Sequence, residues 1–181
     1  PAPLSVAFDT AAVQATQLMQ CALQSGLQPL LLGPHILLPI VQGGMGVGVS
    51  AHRLAGSVAG LGAMGTIASV DLRHHHQDLL ERTASLPVAA ESKHIIDAAN
   101  LEALSREIRM ARELSQGRGV LAVNVMRAVS EYAASVRCAL ECGIDAVVVG
   151  AGLPLDLPDI AADHPAALLI PILSDARGIQ L

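Results

Sequence analysis

Short, unbroken apolar runs recur along this chain, and each closes on glycine or a small polar residue. Ile36–Val41 leads into Gln42-Gly43-Gly44, Ala63–Ala68 into Ser69, and Val120–Val125 holds Asn124 near its end. Ala146–Val149 leads into Gly150-Ala151-Gly152, and Leu168–Leu173 into Ser174-Asp175. Outside one interruption the runs begin roughly 25 residues apart, and the stretches between them have helical spacing. Runs without polar alternation mark strands buried on both faces, and strands joined through helices must lie parallel. An open doubly wound sheet and a β/α barrel both satisfy this rhythm, and local pattern does not choose between them.

The helices have readable ends. Residues 10–25 form a prelude helix that stops at Gly26, a glycine placed to take a left-handed turn. Ser50 is placed to cap a helix over 51–61, Asn100 one over 101–115, and Ser130 one ending at Cys142-Gly143. A short helix around 157–162 precedes the last strand. Residues 71–99, with His74-His75-His76 and Pro87, read as an insertion. The expected organisation is a prelude over 1–35 and an incomplete barrel over 36–181.

Composition narrows the function. The chain has 181 residues, 52% of them hydrophobic and only 15% charged, so it can bury one sizeable core. Its net charge is -5, and ten of its eleven basic residues are scattered arginines, which argues against a nucleic-acid partner. Phe8 and Tyr132 are the only aromatic residues, leaving no stacking platform for bases or sugars. Three cysteines make no disulfide framework and suit a reducing, cytoplasmic setting. No signal peptide is visible, and Pro1 in place of Met marks a processed or trimmed start.

A mean hydropathy of +0.50 raises the question of a membrane. Pro29, Pro34 and Pro39 with five glycines break any helix over 29–49. Gly56 and Gly60 have the spacing of close-packed membrane helices, but the segment reads as a helix and then a strand. No membrane partner is expected.

In parallel α/β folds the site forms at the C-terminal strand ends. Here these ends are Gln42–Gly46, Ser69–Asp71, Asn124–Arg127, Gly150–Gly152 and Ser174-Asp175. They are small or amide-bearing, with neither paired carboxylates nor a nucleophile beside a base. Such a rim suits a large planar cofactor approached by main chain. Gly46 to Ala51 also reads as G-x-G-x-x-A with Asp71 further on, the dinucleotide fingerprint, although Ser50 as a cap would leave those glycines outside the helix.

The joint set of motifs resembles the nitronate monooxygenase (2-nitropropane dioxygenase-like) family. The matching pieces are Gly43-Gly44-Met45-Gly46, Gly65–Asp71, Asn100–Leu104, Val123–Met126, Val148–Pro158 and Pro171–Gly178, in order along the chain. The resemblance implies a TIM-type β/α barrel with FMN as cofactor, and flavin-dependent enoyl-acyl-carrier-protein reductases are close relatives of the family. It implies that Gly43, Gly44 and Met45 lie along the flavin ring, that Asn124 contacts it, and that Gly150 and Ala151 border the substrate cavity. The implied reaction joins an alkyl nitronate and O2 to give a carbonyl compound and nitrite, with a small molecule and O2 as the partners.

The chain departs from the family in what it lacks. A whole barrel has eight strands over ~250 residues, against five runs here. The family's Gly-Gly-His stretch and the glycine-rich turns for the FMN phosphate are absent, so no catalytic residue is assigned. The expectation is the front part of a longer protein, with the phosphate site beyond Leu181. A chain ending there would expose a sheet edge and aggregate or swap into a homo-oligomer. A Rossmann-like dinucleotide module without flavin and a catalytically silent remnant are the readings from other classes.

Three other features have plain explanations. His74-His75-His76 is expected to be a solvated loop or, next best, a lid, since successive residues do not converge on one metal ion. Cys138 and Cys142 are expected to be packing residues. The run holding Arg106, Arg109, Arg112, Glu102, Glu107 and Glu113 is expected to be a solvated helix face, and Asp145 lies at the stability end of its strand.

Overall fold

The computed structural model describes residues 9–87 and 90–180. The prelude helix α1 (Thr10–Gln24) is followed by an antiparallel hairpin of β1 (Leu30–Leu32) and β2 (His35–Leu37). Then come α2 (His52–Gly60), β3 (Met64–Ala68), a 3-10 turn over Leu72–His75, α3 (Gln77–Ala84) and α4 (Ala90–Ser115). The chain continues through β4 (Val120–Met126), α5 (Tyr132–Glu141), β5 (Ala146–Gly150), α6 (Leu157–Ile160) and β6 (Leu168–Pro171). A 3-10 turn over Ala176–Gln180 follows. The expected boundaries at Pro1 and Leu181 lie outside the described residues.

Strands β3-β4-β5-β6 form a parallel sheet in chain order. A doubly wound sheet needs a point where the order reverses; none occurs among the described strands. The two faces are also unequal. Ile67, Leu121, Val123, Val125, Val147 and Val149 point to the helices and build the larger core with Ala103, Ile108 and Val136. The other face, with Met64, Val120, Ala122 and Ala146, is covered by Leu37 and by Leu30 and Leu32 of the hairpin. Helices on one side and a plug on the other are the layering of a barrel wall.

The first apolar run departs from expectation. Its start pairs with β1 across the turn at Gly33, not with the main sheet. Only its end reaches β3 in parallel, through the Val41–Met64 bridge and bonds from Met64 N to Ile40 O (3.1 Å) and Gln42 N to Met64 O (2.9 Å). Pro39 has no amide hydrogen to give a ladder, which accounts for so short a pairing.

Glycines set the distance of α2 from its neighbours. A Cβ on Gly65 would overlap the carbonyl oxygen of Ala55, and one on Gly119 those of Ala59 and Ala63. Gly56 and Gly60 face Ala111, Leu114 and Ser115 of α4. The small-residue spacing thus serves a helix pair laid against a sheet. None of the described helices is long and apolar enough to cross a membrane.

The insertion is mostly helical. α4 begins ten residues before the expected cap, so Asn100 lies inside a helix. Its amide is used instead by the turn after β3, accepting from Arg73 N at 3.3 Å and reaching Asp71 at 3.5 Å. An asparagine inside a helix is tolerated when its side chain has such a partner. Ser130 does not cap α5 either; its hydroxyl donates to Glu131 (2.7 Å). Gly26 and Gly143 do take the left-handed turns expected of them. At the lower end of the sheet, Asp145 binds Arg112 in bidentate fashion (2.9 Å each) and accepts from Leu121 N (2.8 Å), the structural role its position implied.

Candidate functional site

The loop from Gln42 to Ser50 is held at both ends by side chains. Gln42 Oε1 accepts from Thr66 N (2.9 Å), and its Nε2 donates to Ser50 Oγ (2.9 Å) and to Gly43 O. Ser50 is 1% exposed. Its hydroxyl donates to Gly43 O (3.1 Å) and accepts from Met45 N (2.9 Å) as well as from Gln42. One donor and two acceptor sites are all a hydroxyl has, so none is left to cap a helix.

The expected Ser50 cap is therefore corrected. Ala51 is the N-cap of α2 and gives no side-chain bond. The cap comes from a distant residue, since Glu107 Oε2 accepts from His52 N at 2.6 Å. Glu107 is 0% exposed, which overturns its assignment to a solvated helix face. The signal was present: Glu107 stands four residues from both Ala103 and Ala111, on the buried stripe of α4. Arg106, by contrast, does lie on the outer face, paired with Asp78 and Glu102.

The histidine triplet divides. His74 and His75 are exposed, and the His75 ring lies against Gly48, where a Cβ would fall 3.1 Å from Nε2. His76 turns inward to Glu107, with Nε2 3.0 Å from Oε1. The plain loop reading thus fails for His76. No group of three metal-ligating side chains is placed to hold an ion among the described residues.

Four of the six expected cofactor residues meet on the inner face of the sheet. Gly43 and Gly44 line a cavity of about 350 Å³ with Val41, Met64, Thr66, Asn124, Val148, Ile170 and Ile172. Gly44 is pressed against Asn124, such that a Cβ would fall 2.5 Å from Asn124 Cβ. Asn124 and Val148 are register partners, and Gly150 continues the inward-facing side of β5 one step above. A Cβ on Gly150 would stand 3.2 Å from Ile172 Cδ1, on the cavity wall. Among the described residues the Asn124 side-chain amide has no hydrogen-bond partner. It faces a space whose other walls are largely aliphatic.

The remaining two residues lie beside this group. Met45 is half exposed, its amide tied to Ser50. Ala151, with φ +58°, lines a second cleft of about 610 Å³ with Gly152, Leu153, Ser174, Asp175 and Arg177. Ile172 and its neighbours separate the two spaces. Arg127 braces this rim: its amide donates to Gly150 O (2.7 Å) and its guanidinium lies 4.7 Å from the Tyr132 ring centre. Burial, with the Asp156 charge nearby, pushes the Tyr132 phenol above its usual range.

The cysteines match their expected role. Cys138 is partly buried, and desolvation with Cys142 beside it pushes its thiol up to about 12. A thiol held neutral is no nucleophile.

No family model and no curated protein sequence matches this chain. Among solved structures, FabK from Thermotoga maritima is similar in fold, with a TM-score of 0.55 and 18% sequence identity. The likeness covers 78% of this chain and 36% of that one, so the chain spans about a third of the length of the structure it matches. The chain order of the strands, the one-sided helices and this likeness agree: the chain has a mixed α/β fold with a parallel sheet, of the partial TIM-barrel kind.

Proposed function

We propose that this chain supplies the flavin-facing part of an FMN-dependent oxidoreductase of the nitronate monooxygenase type. The observation that carries the reading is Gly43. Its backbone is outside the left-handed region, and a Cβ there would meet nothing within 4 Å. Neither turn geometry nor packing within the chain asks for glycine, yet the residue lines the cavity opposite Asn124. A flat ring lying on the main chain would ask for it.

The residues present fit the ring end of a flavin. Gly43, Gly44, the main chain of Met45 and the Asn124 amide would hold it, and Gly150 and Ala151 would border the substrate. Asn124 offers one acceptor and two donor hydrogens, enough to read a ring edge that carries both kinds of group. Met64, Val148, Ile170 and Ile172 would border the ring with aliphatic surface. When bound, FMN would supply the electron transfer between substrate and O2. The larger cleft beside Ala151 would admit an alkyl nitronate, and the products would be a carbonyl compound and nitrite.

A flavin-dependent enoyl-acyl-carrier-protein reductase is the second reading, favoured by the fold likeness to FabK. The protein is to be incubated with FMN and offered either an alkyl nitronate in air or an enoyl thioester with NAD(P)H. Nitrite release supports the first reading. Consumption of NAD(P)H without nitrite supports the second, and neither activity in a protein that binds no flavin removes both.

A further inference from the structure

Two contacts join the insertion to the cavity loop. One is direct, His75 against Gly48. The other runs through the interior of the protein. His76, where the 3-10 turn passes into α3, meets Glu107 Oε1; Oε2 of the same carboxylate bonds both the amide and the Nδ1 of His52, at 2.6 and 2.7 Å. His52 is the first residue of α2, two places after Ser50, the residue that shapes the loop. The Ser50 carbonyl in turn accepts from Ala68 N (2.9 Å) at the end of β3.

Glu107 is 0% exposed, and the side chains of His52 and His76 are 23% and 11% exposed. Oε2 is satisfied by His52, whereas Oε1 has the His76 ring 3.0 Å away as its close neighbour and no other hydrogen-bond partner, so removing His76 leaves that oxygen buried with nothing polar beside it. Because α2 has no local side-chain cap, its first turn takes its place from Glu107. The loop is pinned at Gln42 on one side and at this first turn on the other. The start of α2 and the Gly44 end of the loop are thus joined by a short stretch of chain fixed at Ser50.

We propose that Glu107 is a positioning residue through which the insertion, by way of His76, holds the Gly43–Ser50 loop in its ligand-ready place. The functional consequence rests on the flavin reading; the mechanical link does not. By reciprocity, a ligand that favours this placement of the loop would also favour the His76–Glu107 contact.

Hydrogen exchange on the full chain without flavin tests the link. In His76→Ala and in Glu107→Gln, the amides of Met45, Ser50 and His52 are expected to exchange about tenfold faster or more. Amides of β4 and β5 should keep their wild-type rates. The double variant should be no faster in the loop than Glu107→Gln alone, since both substitutions cut one path. Wild-type exchange in the loop of His76→Ala, or additive effects of the two changes, overturns the proposal. His76→Ala keeps the test open if Glu107→Gln does not fold. A second arm measures FMN affinity, which should fall in the same order as loop protection. Failure of FMN to bind the wild type counts against the flavin reading alone, and the ligand-free exchange then decides the fate of the link.

Discussion

Gly44 and Asn124, 80 positions apart in sequence, meet so closely that a Cβ on the first would lie 2.5 Å from the Cβ of the second. The contact brings the loop after the first apolar run onto the inner face of the sheet, beside the Asn124 side-chain amide, which has no hydrogen-bond partner among the described residues. A methyl group cannot be added without moving one of them. Gly44→Ala should destabilise by about 1–3 kcal/mol, the usual cost of overpacking, and the loss would be read in urea unfolding. A variant as stable as the parent would mean that the loop stands free of Asn124.

Gly65 makes a stricter demand, because its neighbour is backbone. The Ala55 carbonyl belongs to α2 and cannot rotate aside, so Gly65→Ala must push helix from strand. A loss of more than about 3 kcal/mol is expected. Thermal unfolding measures it, and a small shift in Tm would show that α2 does not sit on β3.

Ser50 has a different task from the one its position suggests. Ser50→Ala removes the acceptor of Met45 N and one of the two donors to Gly43 O, which keeps Gln42 Nε2, at a buried hydroxyl. About 1–3 kcal/mol should be lost. Because the damage falls on the loop rather than on the helix, α2 should keep its protection in hydrogen exchange while the Met45 amide loses its own. Fraying of α2 instead would restore the capping role.

The thiols should differ in reactivity. Cys138, raised to about 12 by burial, stays protonated near neutral pH and should resist alkylation until the chain unfolds. Cys21 is exposed and should react at once. The sign for stability follows from linkage: the raised value lets the folded state hold its proton longer. That contribution is full below the unfolded thiol's value and declines as pH rises toward about 12. Mass-spectrometric labelling across pH checks both statements.

The fold is more legible in the sequence than the site. Runs such as Val120–Val125 and Ala146–Val149 announce buried parallel strands, because no alternation leaves a face for water. Gly26 and Gly143 announce helix ends, because few other residues take a left-handed turn cheaply. Caps are less readable. A serine ahead of a helix can bond the helix or its own loop, and Ser50 does the second because Glu107, 55 positions away, does the first. Asn100 misleads in the same way, its amide being claimed by Arg73 and Asp71 from another turn. The charge run around Glu107 reads as surface because neighbouring Arg106 and Arg109 are surface. Only the Ala103–Glu107–Ala111 stripe hints at the buried carboxylate. Among the cofactor candidates, Gly43, Gly44, Asn124 and Gly150 come together because Asn124 and Gly150 lie toward the C-terminal ends of paired parallel strands and the Gly43-Gly44 loop packs against Asn124.

The most direct measurement is FMN binding by Gly43→Val, followed by quenching of flavin fluorescence. Among the described residues nothing lies within 4 Å of the position of the added Cβ, so folding and Tm should match the wild type. The branched group would stand where the ring must lie, and affinity should drop by about tenfold or more. A wild-type protein that binds FMN saturably and a Gly43→Val protein that folds but does not are the expected pair. Equal FMN affinity in the two proteins would contradict the placement of the flavin ring against Gly43 and Asn124.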